Sequence, residues 1–153
     1  MRIAAALLFA VLVLASPAIV TSPAVAASPP VAEESPLRLL ASLEEAWLAS
    51  DAERLASLVD TTSVRIGIKP GVPPAAAVTR NAAAFLFQDQ LRLVKTQDFR
   101  VVRLEVSKKR VARAVALWDA DWGGRQGVRT LEVKLTAIPM TGRWLLTEVR
   151  AED

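Results

Sequence analysis

The sequence contains no histidine, no cysteine and no tyrosine. These residue types supply most protein nucleophiles, near-neutral proton shuttles and transition-metal ligands. Their absence argues against most enzyme classes, and we expect neither a metal nor a cofactor. Because no disulfide can form, the folded state must be stabilised by its hydrophobic core alone. The groups that remain available for chemistry are carboxylates, amides, hydroxyls, arginine, lysine and tryptophan.

The charge is close to balanced and gives no sign of a polyanion-binding surface. The chain has 19 basic and 16 acidic residues, a formal net charge of +3. Its only tight basic cluster, Lys108-Lys109-Arg110, lies where a hairpin should turn, which predicts a solvated tip. A nucleic-acid-binding protein usually concentrates basic residues on one face, so we expect no nucleic acid partner.

Residues 1–26 have the form of a signal peptide. A basic start, Met1-Arg2, precedes an apolar run from Ile3 to Ala15, and Ala24-Val25-Ala26 has the small-x-small pattern that export peptidases cut. We expect cleavage after Ala26 and an exported protein, periplasmic or secreted, that is no longer attached to the membrane. An uncleaved anchor is the alternative, because Ala18 to Ala26 could extend the apolar run towards the roughly 20 residues that span a bilayer.

The remaining chain predicts a flexible tether followed by one domain. Residues 27–36 are rich in proline and read as an extended tether, and residues 37–153 form the domain. Leucines at helical spacing before Trp47 predict a first helix. Ser50 and Glu53 form a capping box that predicts a short second helix, and a third helix is expected from about Thr79 to Lys95.

After the third helix the hydrophobic period changes to two, which is typical of strands. A short strand is also expected earlier, around Val64–Ile68. The later strands are predicted from the following residues: Val102, Leu104 and Val106 facing inward, Val111 to Trp122, Leu131 to Leu135, and Arg143 to Glu148. Short connections favour antiparallel neighbours. The fold class is therefore α+β, with three N-terminal helices packed on a curved, mainly antiparallel sheet.

Two segments resemble the nuclear transport factor 2-like superfamily, the cystatin-like α+β cone. The stretch from Leu43 to Leu58 is similar to that superfamily's opening pair of helices, and Gly142 to Arg150 is similar to its last strand. The resemblance spans roughly Pro36 to Arg150 and is closest to exported members of unknown function. It implies a cone-shaped cavity between the helices and the sheet. It implies no catalytic residue here, because the tyrosines and histidines that such enzymes use are missing.

Two polar residues interrupt the apolar faces of helices and are candidate pocket residues. Glu44 lies on the apolar side of the first helix, and Gln90 lies amid the apolar residues of the third. Glu44 is either a pocket acid or base, or a carboxylate at the edge of the apolar stripe that is paired or reaches water. Gln90 could bond a ligand, Glu44 or a carbonyl of the sheet.

Alternation divides the segment Trp118-Asp119-Ala120-Asp121-Trp122 between two faces of a strand. Trp118 and Trp122 are expected inside, either as core residues or as a platform for an apolar ligand. Asp119 and Asp121 are expected on the outer, charged face. A carboxylate pair for acid–base work or calcium is the alternative, although calcium needs more oxygen ligands than this segment offers.

The sequence therefore predicts an exported, non-catalytic domain that binds a small apolar ligand or a protein partner. The candidate pocket residues are Glu44, Gln90, Trp118 and Trp122. Two alternatives stay open: an isomerase- or dehydratase-like enzyme that uses a pocket carboxylate, and a dimerisation or assembly module. A homodimer would pair through the outer face of the sheet, but the charge on that face argues mildly against it.

Overall fold

The computed structural model describes residues 34–69, 73 and 76–153. Three helices precede most of the sheet, and the elements in chain order are α1 (Pro36–Leu48), α2 (Ala52–Ser57), β1 (Arg65–Gly67), α3 (Arg80–Leu91), β2 (Lys95–Val106), β3 (Ala112–Asp121), β4 (Val128–Met140) and β5 (Arg143–Glu152). The predicted signal peptide and residues 27–33 of the predicted tether lie outside the described residues. Of that tether, Pro36 is the first residue of α1.

The five strands form one mixed sheet in the order β1-β5-β4-β3-β2. β2 to β5 are successive antiparallel neighbours, and β1 alone pairs in parallel, with β5. The β4–β5 hairpin turns at Thr141 and Gly142, which both have positive φ (48° and 81°), as two-residue hairpin turns require. The predicted α+β class and mainly antiparallel sheet are confirmed.

The first two helices each begin directly after a residue whose side chain caps the helix N-terminus. Ser35 caps α1 by accepting a hydrogen bond from the Leu37 amide (3.2 Å), and Pro36 follows at the first helical position, where its missing N–H costs nothing. The cap of α2 is Asp51, whose carboxylate accepts from the Arg54 amide (3.0 Å). The predicted cap, Ser50, instead has φ 52° and lies in the turn between the helices.

One hydrophobic core joins the helices to one face of the sheet. Its largest fully buried side chains are Trp47, Trp118, Phe87 and Phe99. On β3 every second residue from Ala112 to Ala120 is buried, as the alternation predicts. Alanines at four of these positions let α1 approach the sheet closely, and the core indoles fill the space beyond them.

The structure corrects two expectations about which residues face the core. The pairing of β2 with β3 shifts between Val101 and Arg103, so a β-bulge reverses the alternation there. Val101 therefore shares the inner face with Leu104, and the side chain of Val102 is 52% exposed. The third helix was expected to run to about Lys95, but α3 ends at Leu91, and Leu93, which the longer helix would have included, is 60% exposed.

Among the described residues, no helix is both long and apolar enough to cross a bilayer.

Candidate functional site

Four aromatic rings lie in contact between the helices and the sheet, where the resemblance implies a cavity. The Trp47 ring stacks on Phe99 at 4.5 Å between centroids, and it meets Trp118 edge-on at 5.3 Å. Phe87 approaches Trp47 from α3 at 6.2 Å. Each of these side chains is at most 2% exposed. Offset and edge-on contacts of this kind are the preferred geometries of aromatic pairs, so the rings form a packed core.

Trp118 and Trp122 lie on the inner side of the sheet, as alternation predicts. The Trp118 Nε1 donates a hydrogen bond to Thr96 Oγ1 on β2 (3.1 Å). Trp122 is half-buried and contacts Trp118 at 5.8 Å, and its buried Nε1 has no partner among the described residues. Trp118 is thus held by β2 within the core, and Trp122 extends the aromatic cluster towards the turn after β3.

Glu44 is bound to the main chain of β2. Its Oε1 accepts a hydrogen bond from the Val101 amide at 2.5 Å, directly beside the bulge. The bulge turns this amide away from β3, and a half-buried N–H without a partner would be destabilising. The carboxylate of α1 therefore satisfies an irregular point of the sheet.

Gln90 has a matching position at the opposite side of the fold. Its Oε1 accepts from the amide of Ile68 at 3.2 Å, and Ile68 directly follows β1. Since β1 and β2 are the two edge strands of the sheet, Gln90 and Glu44 fasten α3 and α1 to opposite sheet edges. Trp118 and Trp122 contact each other, whereas Glu44 and Gln90 bond to main-chain amides at opposite edges of the sheet.

The interior near the start of α1 is also closely packed. The space between Leu39 and Leu40 of α1 and Ala114 and Leu135 of the sheet is too narrow to hold a water molecule. Ligand pockets typically enclose about 300 Å³ or more. A small molecule could enter this region only if α1 moved away from the sheet.

The two aspartates of β3 lie on the outer face and make local hydrogen bonds. Asp119 accepts from Thr130 Oγ1 (2.6 Å) and lies 3.8 Å from the Arg100 guanidinium. Asp121 accepts from the amide of Gly123 (2.9 Å) and so stabilises the next turn. Within the described parts of the chain, no three acidic residues are grouped closely enough to hold a metal ion.

An open groove runs between α1 and β2. It has a volume of about 320 Å³ and is lined by Leu37, Leu40, Ala41, Glu44, Val101, Val102, Arg103 and Leu104. Leu37 is 64% exposed and Val102 is 52% exposed, which places apolar surface on both walls. The alternation of β2 predicts an internal Val102, and no local signal marks the bulge that exposes it. We call this feature the α1–β2 groove.

The fold is that of the nuclear transport factor 2-like superfamily. A DUF4783 family protein from Bacteroides ovatus aligns over 80% of this chain and 96% of its own, with a TM-score of 0.61 and 12% identity. A nuclear transport factor 2-like protein of unknown function from Shewanella oneidensis aligns over 76% of this chain and 95% of its own, with a TM-score of 0.57 and 15% identity.

A third similar structure, from Streptomyces avermitilis, is provisionally assigned as a dehydratase of the same superfamily. It aligns over 78% of this chain and 94% of its own, with a TM-score of 0.57 and 15% identity. No protein-family model and no curated protein matches the sequence. The resemblance noted in the sequence is thus confirmed for the fold, and at these identities activity does not follow from fold.

Proposed function

We propose that this protein is an exported, non-catalytic binding module that recognises a protein partner through the α1–β2 groove. The observation that carries the proposal is the packing of Trp47, Phe99 and Trp118. These residues fill the interior with rings, while Leu37 and Val102 remain exposed beside the groove. Export is part of the proposal and rests on the form of residues 1–26.

The hydrogen bonds that the carboxylates accept within the fold favour a binding function over catalysis. A general acid or base must reach a substrate proton within hydrogen-bonding distance. Glu44 is bonded to the amide of Val101, and Asp119 and Asp121 are bonded on the outer face of the sheet. Each of these carboxylates already accepts a hydrogen bond within the fold, which supports a structural role for them over a catalytic one.

The shape of the groove favours a protein partner over a small apolar ligand. Pockets for small molecules bury most of the ligand surface, whereas this groove is open to solvent along its length. It can accept side chains from a surface that also covers its rim. Clusters of exposed apolar residues bordered by polar groups mark such surfaces, and Arg103 and Glu44 border this one.

Site-specific photocrosslinking in the producing cells tests the proposal. A benzophenone amino acid at Val102 should give one discrete, saturable adduct with another protein. Val128 is the matched control, because it is the same residue type with nearly the same exposure, 54% against 52%, and lies on β4 outside the groove. The proposal is wrong if both positions give adducts in equal yield, or if neither position gives an adduct. N-terminal sequencing of the mature protein tests export separately, with Ala27 expected as the first residue.

A further inference from the structure

The longer edge strand of the sheet borders the groove, and part of its edge is free among the described residues. β1 and β2 are the edge strands. β1 has only 3 residues, and the chain beside it is covered by the Val64–Val78 bridge. β2 has 12 residues, and no strand of the described part of the chain lies on its outer side. The part of such an edge whose amides are free can pair with another extended chain.

The hydrogen bonds of β2 show which amides point outward. The Ser107 amide bonds to the carbonyl of Val111 on β3 (2.9 Å), so Ser107 faces β3. Successive residues of an edge strand alternate between facing their neighbour and facing outward, and no register shift interrupts β2 from Arg103 to Val106. The amides of Leu104 and Val106 therefore point away from the sheet, and no group of the described residues accepts from them.

The free edge and the groove form one continuous surface. Leu104 belongs to both, because its side chain lines the groove beside Leu37 and Leu40 while its amide points outward. A strand added beside Leu104–Val106 would direct the side chain next to Leu104 into the groove. The Val101 amide is already bonded to Glu44, so the outward amides considered for strand addition are those of Leu104 and Val106.

We propose that an extended segment of the partner protein adds to β2 as a sixth strand and bonds the amides of Leu104 and Val106. The inference rests on the proposed function and names the chemistry of the partner. The side chain that it places beside Leu104 is apolar and enters the groove. Acidic residues flank this position, because Arg103 borders one end of the open edge and Lys108 and Lys109 border the other. Main-chain bonds supply affinity in such complexes, and the side-chain pockets supply specificity.

In the register that bonds both outward amides, charge disfavours a second copy of this chain as the occupant. The antiparallel register that uses both outward amides joins Leu104 of one copy to Val106 of the other. That register places the Glu105 carboxylates of the two copies directly opposite each other, and like charges in that position destabilise a strand pair. A partner with acidic residues at the ends of its segment meets no such repulsion.

A proline at Val106 tests the strand addition. Proline is tolerated on an edge strand where the N–H points outward, so Val106→Pro should keep the pairing with β3 and lose one bond to the partner. We expect the crosslink yield at Val102 to fall about threefold to tenfold, as the loss of one peptide hydrogen bond implies. Val106→Thr, which keeps the N–H, is the control and should retain the yield. Arg103→Glu should lower the yield, and Arg125→Glu in the exposed turn after β3 should not.

Hydrogen–deuterium exchange gives a second measurement that does not depend on the folding of a variant. In the purified crosslinked complex, exchange within residues 103–107 should be slower than in the free protein. If the Val102 adduct persists in Val106→Pro and exchange in this stretch is unchanged, the strand addition is wrong, although a partner docked through side chains would still satisfy the proposed function. An adduct between two copies of this chain, recognised by twice its mass, would refute the proposal that the partner is a different protein. If the protein that carries the crosslinker at Val102 and no other change gives no adduct, both proposals are wrong.

Discussion

Replacement of Glu44 by alanine should destabilise the fold much more than the same change at Glu45. The Glu44 carboxylate accepts a hydrogen bond from the Val101 amide at 2.5 Å. Removal of the carboxylate leaves that N–H without a partner beside the bulge. Such a loss costs about 1–3 kcal/mol, and since Glu44 is half-buried we expect about 1–2 kcal/mol. Glu45 bonds only Arg54, with side chains 65% and 44% exposed, and exposed pairs contribute about 0.2–1 kcal/mol.

Urea unfolding followed by tryptophan fluorescence measures both changes. The two variants delete the same side chain from neighbouring positions of one helix, so helix propensity cancels in the comparison. Glu44→Gln keeps an oxygen acceptor but loses its charge, and its free energy of unfolding should lie between those of the wild type and Glu44→Ala. Equal unfolding midpoints for Glu44→Ala and Glu45→Ala would refute the assignment of Glu44 to the bulge and would return it to the candidate catalytic groups.

Two further changes probe the opposite edge of the sheet and its outer face. Gln90→Ala should lower the free energy of unfolding by about 1–2 kcal/mol, because the Ile68 amide loses its acceptor. The control, Gln88→Ala, changes an exposed residue of the same type and should be nearly neutral. Equal urea midpoints for the two variants would contradict this role of Gln90. The hydrogen bond from Lys134 lowers the pKa of Glu152, so the stability this pair adds is complete above the usual glutamate pKa of about 4.3 and is lost as pH falls through the lowered value. The stability difference between wild type and Glu152→Gln should therefore vanish on acidification from about pH 7 to about pH 2, and a difference independent of pH would exclude the pair as its source.

Much of the sheet could be predicted from alternation alone. From Ala112 to Asp121 the inner and outer residues are those that a period of two assigns, because successive side chains of a strand must point to opposite faces. The same rule failed at Val102. A bulge adds one residue to one strand only, and whether it occurs depends on the partner strand and on the helix above it.

The candidate pocket shows the same division between local and distant information. Glu44 and Gln90 stand out in the sequence because each interrupts an apolar helical face. What they bond could not be predicted, since their partners lie 57 and 22 residues away along the chain. The indoles of Trp118 and Trp122 were expected inside, but whether they line a cavity or fill it depends on Trp47, Phe87 and Phe99 from other elements.

The sequence by itself determined the fold class, the inner face of β3, the starts of the helices to within a residue, and the lack of the usual catalytic side chains. These follow from steric periodicity, capping and composition, which act over a few residues. Only the tertiary structure decided that the interior is filled, that Glu44 and Gln90 hold helices to opposite sheet edges, and that β2 leaves an apolar groove open. Those outcomes depend on strand register and on packing between distant segments, which local patterns do not specify.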